Sequence, residues 1–135
     1  MRDYEGRVYN GFNMSMDSVL AKKSYVFALD VVKTYKKVST EKREFVLCKQ
    51  FLRSGTSIGA NIREAIGAQS KADFIAKLSI AHKETLETDY WICLLRDSDY
   101  LENERAMDLI QQAEELRRII VSTLLTSKSN ISSSK

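Results

Sequence analysis

The chain has 135 residues, 44% of them hydrophobic, a formal net charge of +3 and no proline. This size fits one domain with its own core, and the absence of proline favours long, unkinked helices. The longest apolar runs are much too short to cross a bilayer, and the N-terminus lacks the continuous apolar segment of a secretory signal.

Apolar residues recur at helical spacing in four segments, which predict four helices. The polar break Val38-Ser39-Thr40 is expected to cap the second helix, and Gly67 to end it in a left-handed C-cap. Ser70 and Asp73 resemble a capping box that opens the third helix, and Ser98-Asp99-Tyr100 is the next turn. The predicted helices span about 17–37, 41–66, 71–96 and 103–125.

The connections between these segments are about three to six residues long, so each helix must return antiparallel to the one before it. The predicted fold is therefore an all-α, antiparallel up-down-up-down four-helix bundle over residues 17–126. Residues 1–16 are an N-terminal arm, a tail or the end of an upstream extension. Residues 127–135 are polar and serine-rich, and we expect a disordered C-terminal tail there.

The second helix carries Gly55 and Gly59 in an apolar seam that steps alternately by three and four residues. A phosphate-binding loop needs four residues between its glycines and then a lysine, but here helical spacing continues through both positions. Each glycine costs a helix interior about 1 kcal/mol relative to alanine, so two in one seam predict the close approach of a neighbouring helix. The positions assigned to helix packing or assembly are Gly55, Gly59, Ile58, Asn61 and Ile62.

Residue patterns for catalysis or metal binding are weak in this sequence. The single histidine, His82, has no acid three residues before it, unlike the Glu-x-x-His pairs of di-iron bundles. Cys48 and Cys93 have no second ligand at metal spacing and fall among apolar residues, so we expect reduced core thiols in a cytoplasmic protein. Serines are plentiful but no nucleophile elbow is present. We predict no catalytic residue, cofactor, metal or membrane association.

Folding the second and third helices back on each other pairs positions whose numbers sum to roughly 137. Arg53 then faces Glu84, and Gln50 faces Glu87. The four residues form either a polar site between the helices or contacts that set their register, worth about 0–1 kcal/mol if exposed. The register role is the favoured interpretation.

Charge is unevenly distributed along the chain. Residues 20–53 contain nine Lys/Arg and three Asp/Glu, whereas residues 97–135 contain seven Asp/Glu and five Lys/Arg. Such asymmetry indicates either an anionic partner or complementary surfaces that meet in an oligomer. The candidate RNA or DNA contacts form a basic strip of Lys33, Lys36, Lys37, Lys42, Lys49 and Arg53. The alternative is a solvated bundle face, since no aromatic stacking platform accompanies the strip.

Two segments carry a family pattern: SGTSIGANIREA (54–65) and QSKADFIAKLSIAHKETLETDYW (69–91). They closely resemble the bacterial four-helix-bundle proteins often encoded in intervening sequences of 23S ribosomal RNA genes. The residues that carry the resemblance are Gln50, Arg53, Ser57, Ile58, Asn61, Ile62, Glu64, Ser70, Phe74, Leu78, Ile80, Ala81 and Glu87. The sequence departs from the common form of the family at Arg63, where alanine is frequent, and at Ala65-Ile66-Gly67.

The resemblance implies a four-helix protomer that assembles into a homopentameric ring and has no established enzymatic role. It also implies a distant likeness to the accessory proteins of diversity-generating retroelements, which are basic pentamers that bind nucleic acid. Two hypotheses follow. One is a non-catalytic module that self-associates, and the other is nucleic-acid binding through the basic strip.

Overall fold

The computed structural model describes residues 14–133, with side chains described between 19 and 129. Within this range the chain forms four helices and no strand, which confirms the predicted all-α four-helix fold. None of these helices is long and apolar enough to span a membrane. Residues 1–13 of the proposed N-terminal arm lie outside the described residues, and residues 14–16 belong to the first helix. The helices are α1 (Met14–Lys42), α2 (Val46–Ile66), α3 (Lys71–Asp97) and α4 (Asn103–Ser133).

Each helix packs against the next along the chain and α1 also packs against α4, so α1 and α3 lie diagonally opposite each other. Ion pairs between α2 and α3 give their relative direction. Arg53 Nη1 lies 3.5 Å from Glu84 Oε2, and Lys77 Nζ lies 3.5 Å from Glu64 Oε2. Residue numbers rise along α2 as they fall along α3, so these two helices are antiparallel.

The pair α1 and α4 is antiparallel by the same reasoning. Lys23 Nζ lies 2.6 Å from Glu115 Oε1, and Arg105 Nη2 donates to Thr34 Oγ1 over 3.2 Å. These contacts tie the first half of α1 to the middle of α4 and its second half to the start of α4. These contacts between the first and last helices complete the four-helix bundle around the core.

The core contains apolar side chains from all four helices. On α2, Phe51 and Ile58 are fully buried, whereas Leu52 is half-buried. The largest fully buried side chains include Phe27, Val31, Phe51, Ile58, Ile62, Leu78, Ile92, Leu95, Leu109, Leu116 and Ile120.

The break between α1 and α2 lies later than predicted. Val38 and Ser39 are buried inside α1, and the Ser39 hydroxyl donates to the Tyr35 carbonyl over 2.6 Å, so it is satisfied within the helix instead of capping the next one. The chain turns at Arg43, whose φ is 53°. Glu44 supplies the cap, because its carboxylate accepts hydrogen bonds from two of the first backbone N–H groups of α2.

At the other end of α2 the predicted left-handed cap is wrong. Gly67 has a φ of −86° and a ψ of 7°, and its N–H donates to the Arg63 carbonyl over 3.1 Å, so the chain leaves the helix in a right-handed conformation. The predicted N-cap of α3 is confirmed. Ser70 has an extended backbone, and its Oγ accepts a hydrogen bond from the Asp73 N–H at 3.0 Å.

The left-handed residue occurs instead at the end of α3, in the predicted turn. Asp99 has a φ of 66° and donates its N–H to the Arg96 carbonyl, while the Tyr100 N–H donates to the Leu95 carbonyl. This pair of hydrogen bonds is a Schellman motif, which satisfies carbonyls at the end of the helix. Asp is among the few non-glycine residues that enter this region readily.

The fourth helix is longer than predicted. It continues through Ser133, so the segment assigned to a disordered tail is helical up to that residue, and positions 134–135 lie outside the described residues. No glycine or proline follows position 67 to stop the helix. The Thr126 hydroxyl donates to the Ser122 carbonyl over 3.1 Å, and Ser127 is buried, so serine and threonine are accommodated within the helix.

Candidate functional site

The two glycines of α2 both face α1 of the same protomer. A Cβ atom on Gly55 would lie 2.8 Å from both methyl carbons of Val31, and one on Gly59 would lie 3.4 Å from the Ser24 carbonyl oxygen. The seam therefore brings α1 and α2 together inside the bundle. Gly55 is the tighter position, because Val31 is fully buried and occupies the space that a side chain would need.

The other residues assigned to packing or assembly also serve the protomer. Ile58 and Ile62 are buried in the core. Asn61 is half-buried, and its Nδ2 donates to the carbonyl and the hydroxyl of Ser57 one turn earlier, over 2.9 and 3.0 Å. The apolar surface of α2 is thus largely used by its neighbours within the bundle.

The polar residues between α2 and α3 form a cluster around Arg53. The Arg53 guanidinium contacts the carboxylates of both Glu84 and Glu87, whereas Gln50, expected opposite Glu87, is exposed. The Arg53 side chain is 51% exposed, so this surface ion pair is worth about 0–1 kcal/mol. The contacts lie in the predicted antiparallel register of α2 and α3 and leave neither carboxylate unpaired.

All six residues of the basic strip are exposed. The register set by Gly55 against Val31 places Lys49 level with Lys36 and Lys37, at the end of the bundle where α1 joins α2. In the part of the chain that the structure describes, the five lysines of the strip have no ion-pair partner, whereas Arg53 is neutralised by two glutamates. The available positive charge is therefore that of the lysines.

A feature that the sequence reasoning missed is apolar surface on the outward faces of α1 and α3. Val26 and Leu29 are 48% and 52% exposed, and Leu86 and Tyr90 are 48% and 58% exposed. We call Val19, Val26 and Leu29 the α1 patch, and Ile80, Leu86 and Tyr90 the α3 patch. The signal in the sequence was their position between the core residues of each helix, but helical periodicity does not distinguish a wide core face from a second apolar face.

The two thiols differ in their surroundings. Cys48 is a buried free thiol, as predicted, and burial together with the nearby Glu44 carboxylate raises its pKa to about 12. Cys93 is also free but only half-buried, and burial and the Asp89 carboxylate raise its pKa. Both are protonated at neutral pH and are therefore weak nucleophiles. His82 is half-buried, and among the described residues no cluster of His, Cys, Asp and Glu could hold a metal ion.

Comparison with known proteins identifies relatives of this chain. The model of the family described as 23S rRNA-intervening sequence protein matches residues 16–122. A crystal structure of a protein of unknown function from the S23 ribosomal protein family of Bacteroides thetaiotaomicron is 48% identical, with a TM-score of 0.79. The match covers 81% of this chain and 97% of that one. No curated protein matches the chain.

Proposed function

We propose, starting from the membership of this chain in the 23S rRNA-intervening sequence protein family, that it is a non-catalytic cytoplasmic protein that acts by self-association into a homopentameric ring. The observation that carries the proposal is the pair of exposed apolar patches on α1 and α3. Exposed apolar side chains grouped on one helix face typically mark an interaction surface.

The α3 patch is the stronger of the two indications. The seam of α3, which includes Leu78, Ala81 and Ile92, already fills the core, yet Leu86 and Tyr90 extend apolar surface to the opposite side. Large apolar side chains exposed together on the outward face of a helix indicate a surface that a partner covers. Among the described residues, α3 packs against α2 and α4 only, which leaves its outer face open to another chain.

The chemistry of the polar groups supports a non-catalytic role. Arg53 contacts both Glu84 and Glu87, so these carboxylates are charge-paired instead of being arranged as a free acid and base. The Cys48 thiol, with its pKa raised to about 12, lacks the lowered pKa of a catalytic cysteine. These groups are accounted for by register and packing.

The test is the mass of the protein in solution. Light scattering and sedimentation velocity across micromolar concentrations should show an oligomer, and native mass spectrometry should count five copies. A monomer throughout this range would refute the self-association proposal, and a stable assembly of another size would refute the pentamer alone.

A second candidate function is RNA or DNA binding through the basic strip, and the unpaired lysines at the α1–α2 end of the bundle favour it. Each phosphate that the protein neutralises should contribute about 0.9 to the salt slope on duplex DNA and about 0.7 on a single strand. Lys42 and Lys49 are the sharpest test residues because they lie outside the α1 patch.

The experiment compares a double variant, Lys42→Gln with Lys49→Gln, against a matched control with Lys71→Gln on α3 and Lys128→Gln on α4. All four lysines are exposed. Fluorescence anisotropy with structured RNA, measured over a range of salt concentrations, should show a shallower salt slope for the test variant and an unchanged one for the control. Equal slopes in the two variants, or no salt-sensitive binding by the wild type, would exclude the strip as the contact.

A further inference from the structure

We infer that the assembly is built by a heterologous contact, in which the α1 patch of one copy packs on the α3 patch of the next copy. This inference rests on the proposed self-association and specifies its surface. The occupant of each patch is a second copy of this chain, and the two patches are the two halves of one interface.

The two patches lie on different sides of the bundle. Because α1 and α3 are diagonally opposite, Val26 and Leu29 face away from the side of the bundle that Leu86 and Tyr90 occupy. A protomer with two different association faces joins head to tail, and such contacts close into a ring when the rotation between copies allows it. An isologous dimer would cover one patch and leave the other exposed.

The α1 patch is also displaced towards α4. Val19 and Val26 line a groove of about 380 Å³ together with Gln112, Glu115 and Leu116 of α4. The two association faces are therefore not strictly opposed across the bundle. Faces that are less than diametrically opposed are what ring closure requires, whereas strictly opposed faces produce an open filament.

The α1 patch lies among positively charged side chains. Lys22 and Lys33 are exposed on the same helical face as Val26 and Leu29. The one acidic residue in the middle of α1, Asp30, is engaged with α4, where Gln112 Nε2 donates to it over 2.9 Å. Packing one α1 patch against another would bring these lysines together, while the nearby Glu115 carboxylate is already paired with Lys23, and like charges at an interface disfavour the wrong pairing.

The α1 and α3 faces have opposite charge at one end of the bundle. Since α1 and α3 are each antiparallel to α2, they run in the same direction, and both end at the same end. There the patch face of α1 carries the exposed Lys36, whereas the turn after α3 carries the exposed acids Asp99 and Glu102. In a ring whose axis follows the bundle, neighbouring copies lie at equal height, so the basic end of α1 meets the acidic turn of the next copy.

The experiment breaks one face at a time and then mixes the two variants. The first variant carries Val26→Asp and Leu29→Asp, and the second carries Leu86→Asp and Tyr90→Asp. A matched control carries Met107→Asp and Leu125→Asp on the outward face of α4, at side chains that are 41% and 65% exposed. Mass is measured by sedimentation velocity, and helical folding is checked by circular dichroism.

The heterologous contact predicts that each single-face variant is monomeric where the wild type is assembled. Association should weaken by about 100-fold or more, because unpaired carboxylates are costly to bury. Mixing the two variants should restore one intact interface and give a 1:1 heterodimer that grows no further. The control should assemble like the wild type.

Other outcomes overturn the inference in distinguishable ways. A homodimer of either single-face variant would show that the remaining patch pairs with itself, and an assembled variant would show that its patch is not in the interface. A wild type that is monomeric refutes self-association together with this contact, whereas an assembled wild type without heterodimer formation refutes the contact alone. If a variant is unfolded, the same test is made with serine in place of aspartate at the four positions.

Charge reversal gives an independent measurement. Replacing Lys33 and Lys36 by glutamate should weaken the heterologous contact, because the reversed charges face the acidic turn of the next copy. If α1 paired with α1, both copies would carry the change and like charges would still face each other, so an unchanged dissociation constant would contradict the heterologous contact.

Discussion

Replacing Gly55 by alanine tests how tightly α1 and α2 approach each other. The added Cβ would lie 2.8 Å from both methyl carbons of Val31, whereas carbon atoms in favourable contact are about 3.5–4.0 Å apart. Val31 is fully buried, and its branched side chain is held in one rotamer in a helix. Rotating one methyl group away would bring another atom of the same side chain into the space, so α1 must shift.

The expected free-energy change follows from two opposing effects. Overpacking of a well-packed core costs about 1–3 kcal/mol, while replacing a helical glycine by alanine gains about 1 kcal/mol. We expect Gly55→Ala to destabilise the protein by about 0–2 kcal/mol. At Gly59 the nearest atom would be 3.4 Å away, so Gly59→Ala should be neutral or stabilising by up to about 1 kcal/mol. Leucine at either position should cost about 1–3 kcal/mol.

Urea unfolding followed by circular dichroism measures these differences, at one protein concentration because assembly contributes to apparent stability. Combining Gly55→Ala with Val31→Ala provides the sharper measurement. The two changes should compensate each other, with a coupling free energy of about 1–2 kcal/mol in a double-mutant cycle. Equal stabilisation by Gly55→Ala and Gly59→Ala, or a cycle without coupling, would show that the α1–α2 contact at Gly55 is not tight.

Three further predictions concern helix ends and a thiol. Glu44→Gln should destabilise the protein by about 1 kcal/mol by weakening the cap of α2. Burial opposes the charged form of Glu44, but hydrogen bonds from Cys48 and Leu47 outweigh it and lower the pKa of this carboxyl below its ordinary 4.5. The stability that the Glu44 carboxylate contributes is therefore fully present above pH 4.5 and is lost as the pH falls through the lowered pKa. The urea midpoints of the wild type and of Glu44→Gln should therefore converge in acid. Ser70→Ala should cost about 1 kcal/mol in the same assay, since it removes the acceptor for the Asp73 N–H, and a change below 0.2 kcal/mol would contradict that role. Cys48 should react with a thiol reagent only as fast as the bundle opens, because its side chain is fully buried, and rapid labelling of a Cys93→Ser variant under native conditions would contradict its burial.

The sequence predicted the helices and the core well, because both depend on apolar residues repeating every three or four positions. Phe27 and Leu109 are buried for this reason. It predicted the helix ends less well, because they depend on single hydrogen bonds. Ser39 resembled a cap but bonds within its own helix, and Gly67 suggested a left-handed residue that the chain places at Asp99.

The candidate site was predicted in part. The antiparallel register correctly brought Arg53 to Glu84 across α2 and α3, since that pairing follows from the length of the turn alone. It did not show that Arg53 also contacts Glu87, because that contact depends on the length and conformation of the two side chains. Ile58 and Ile62 of α2, which were assigned to packing or assembly, are buried inside the bundle. The exposed apolar patches on α1 and α3 were not predicted, because only burial in three dimensions separates an outward apolar face from a core face.

The two proposed roles place different demands on the same lysines. If the ring forms through the α1 patch, Lys33 and Lys36 lie at the contact between copies and become less available to a nucleic acid. Lys42 and Lys49 are then the lysines of the strip best placed to meet phosphates, and cyclic symmetry would repeat them five times on one face of the ring. Linked weak sites bind with an effective concentration that a monomer lacks, and avidity gains of about 10²–10⁴ are typical. A nucleic acid that binds the ring should therefore bind the single-face variants far more weakly, even though every lysine of the strip is intact in them. Equal affinity for the ring and for the monomeric variants would show that assembly and nucleic-acid binding are independent properties of this bundle.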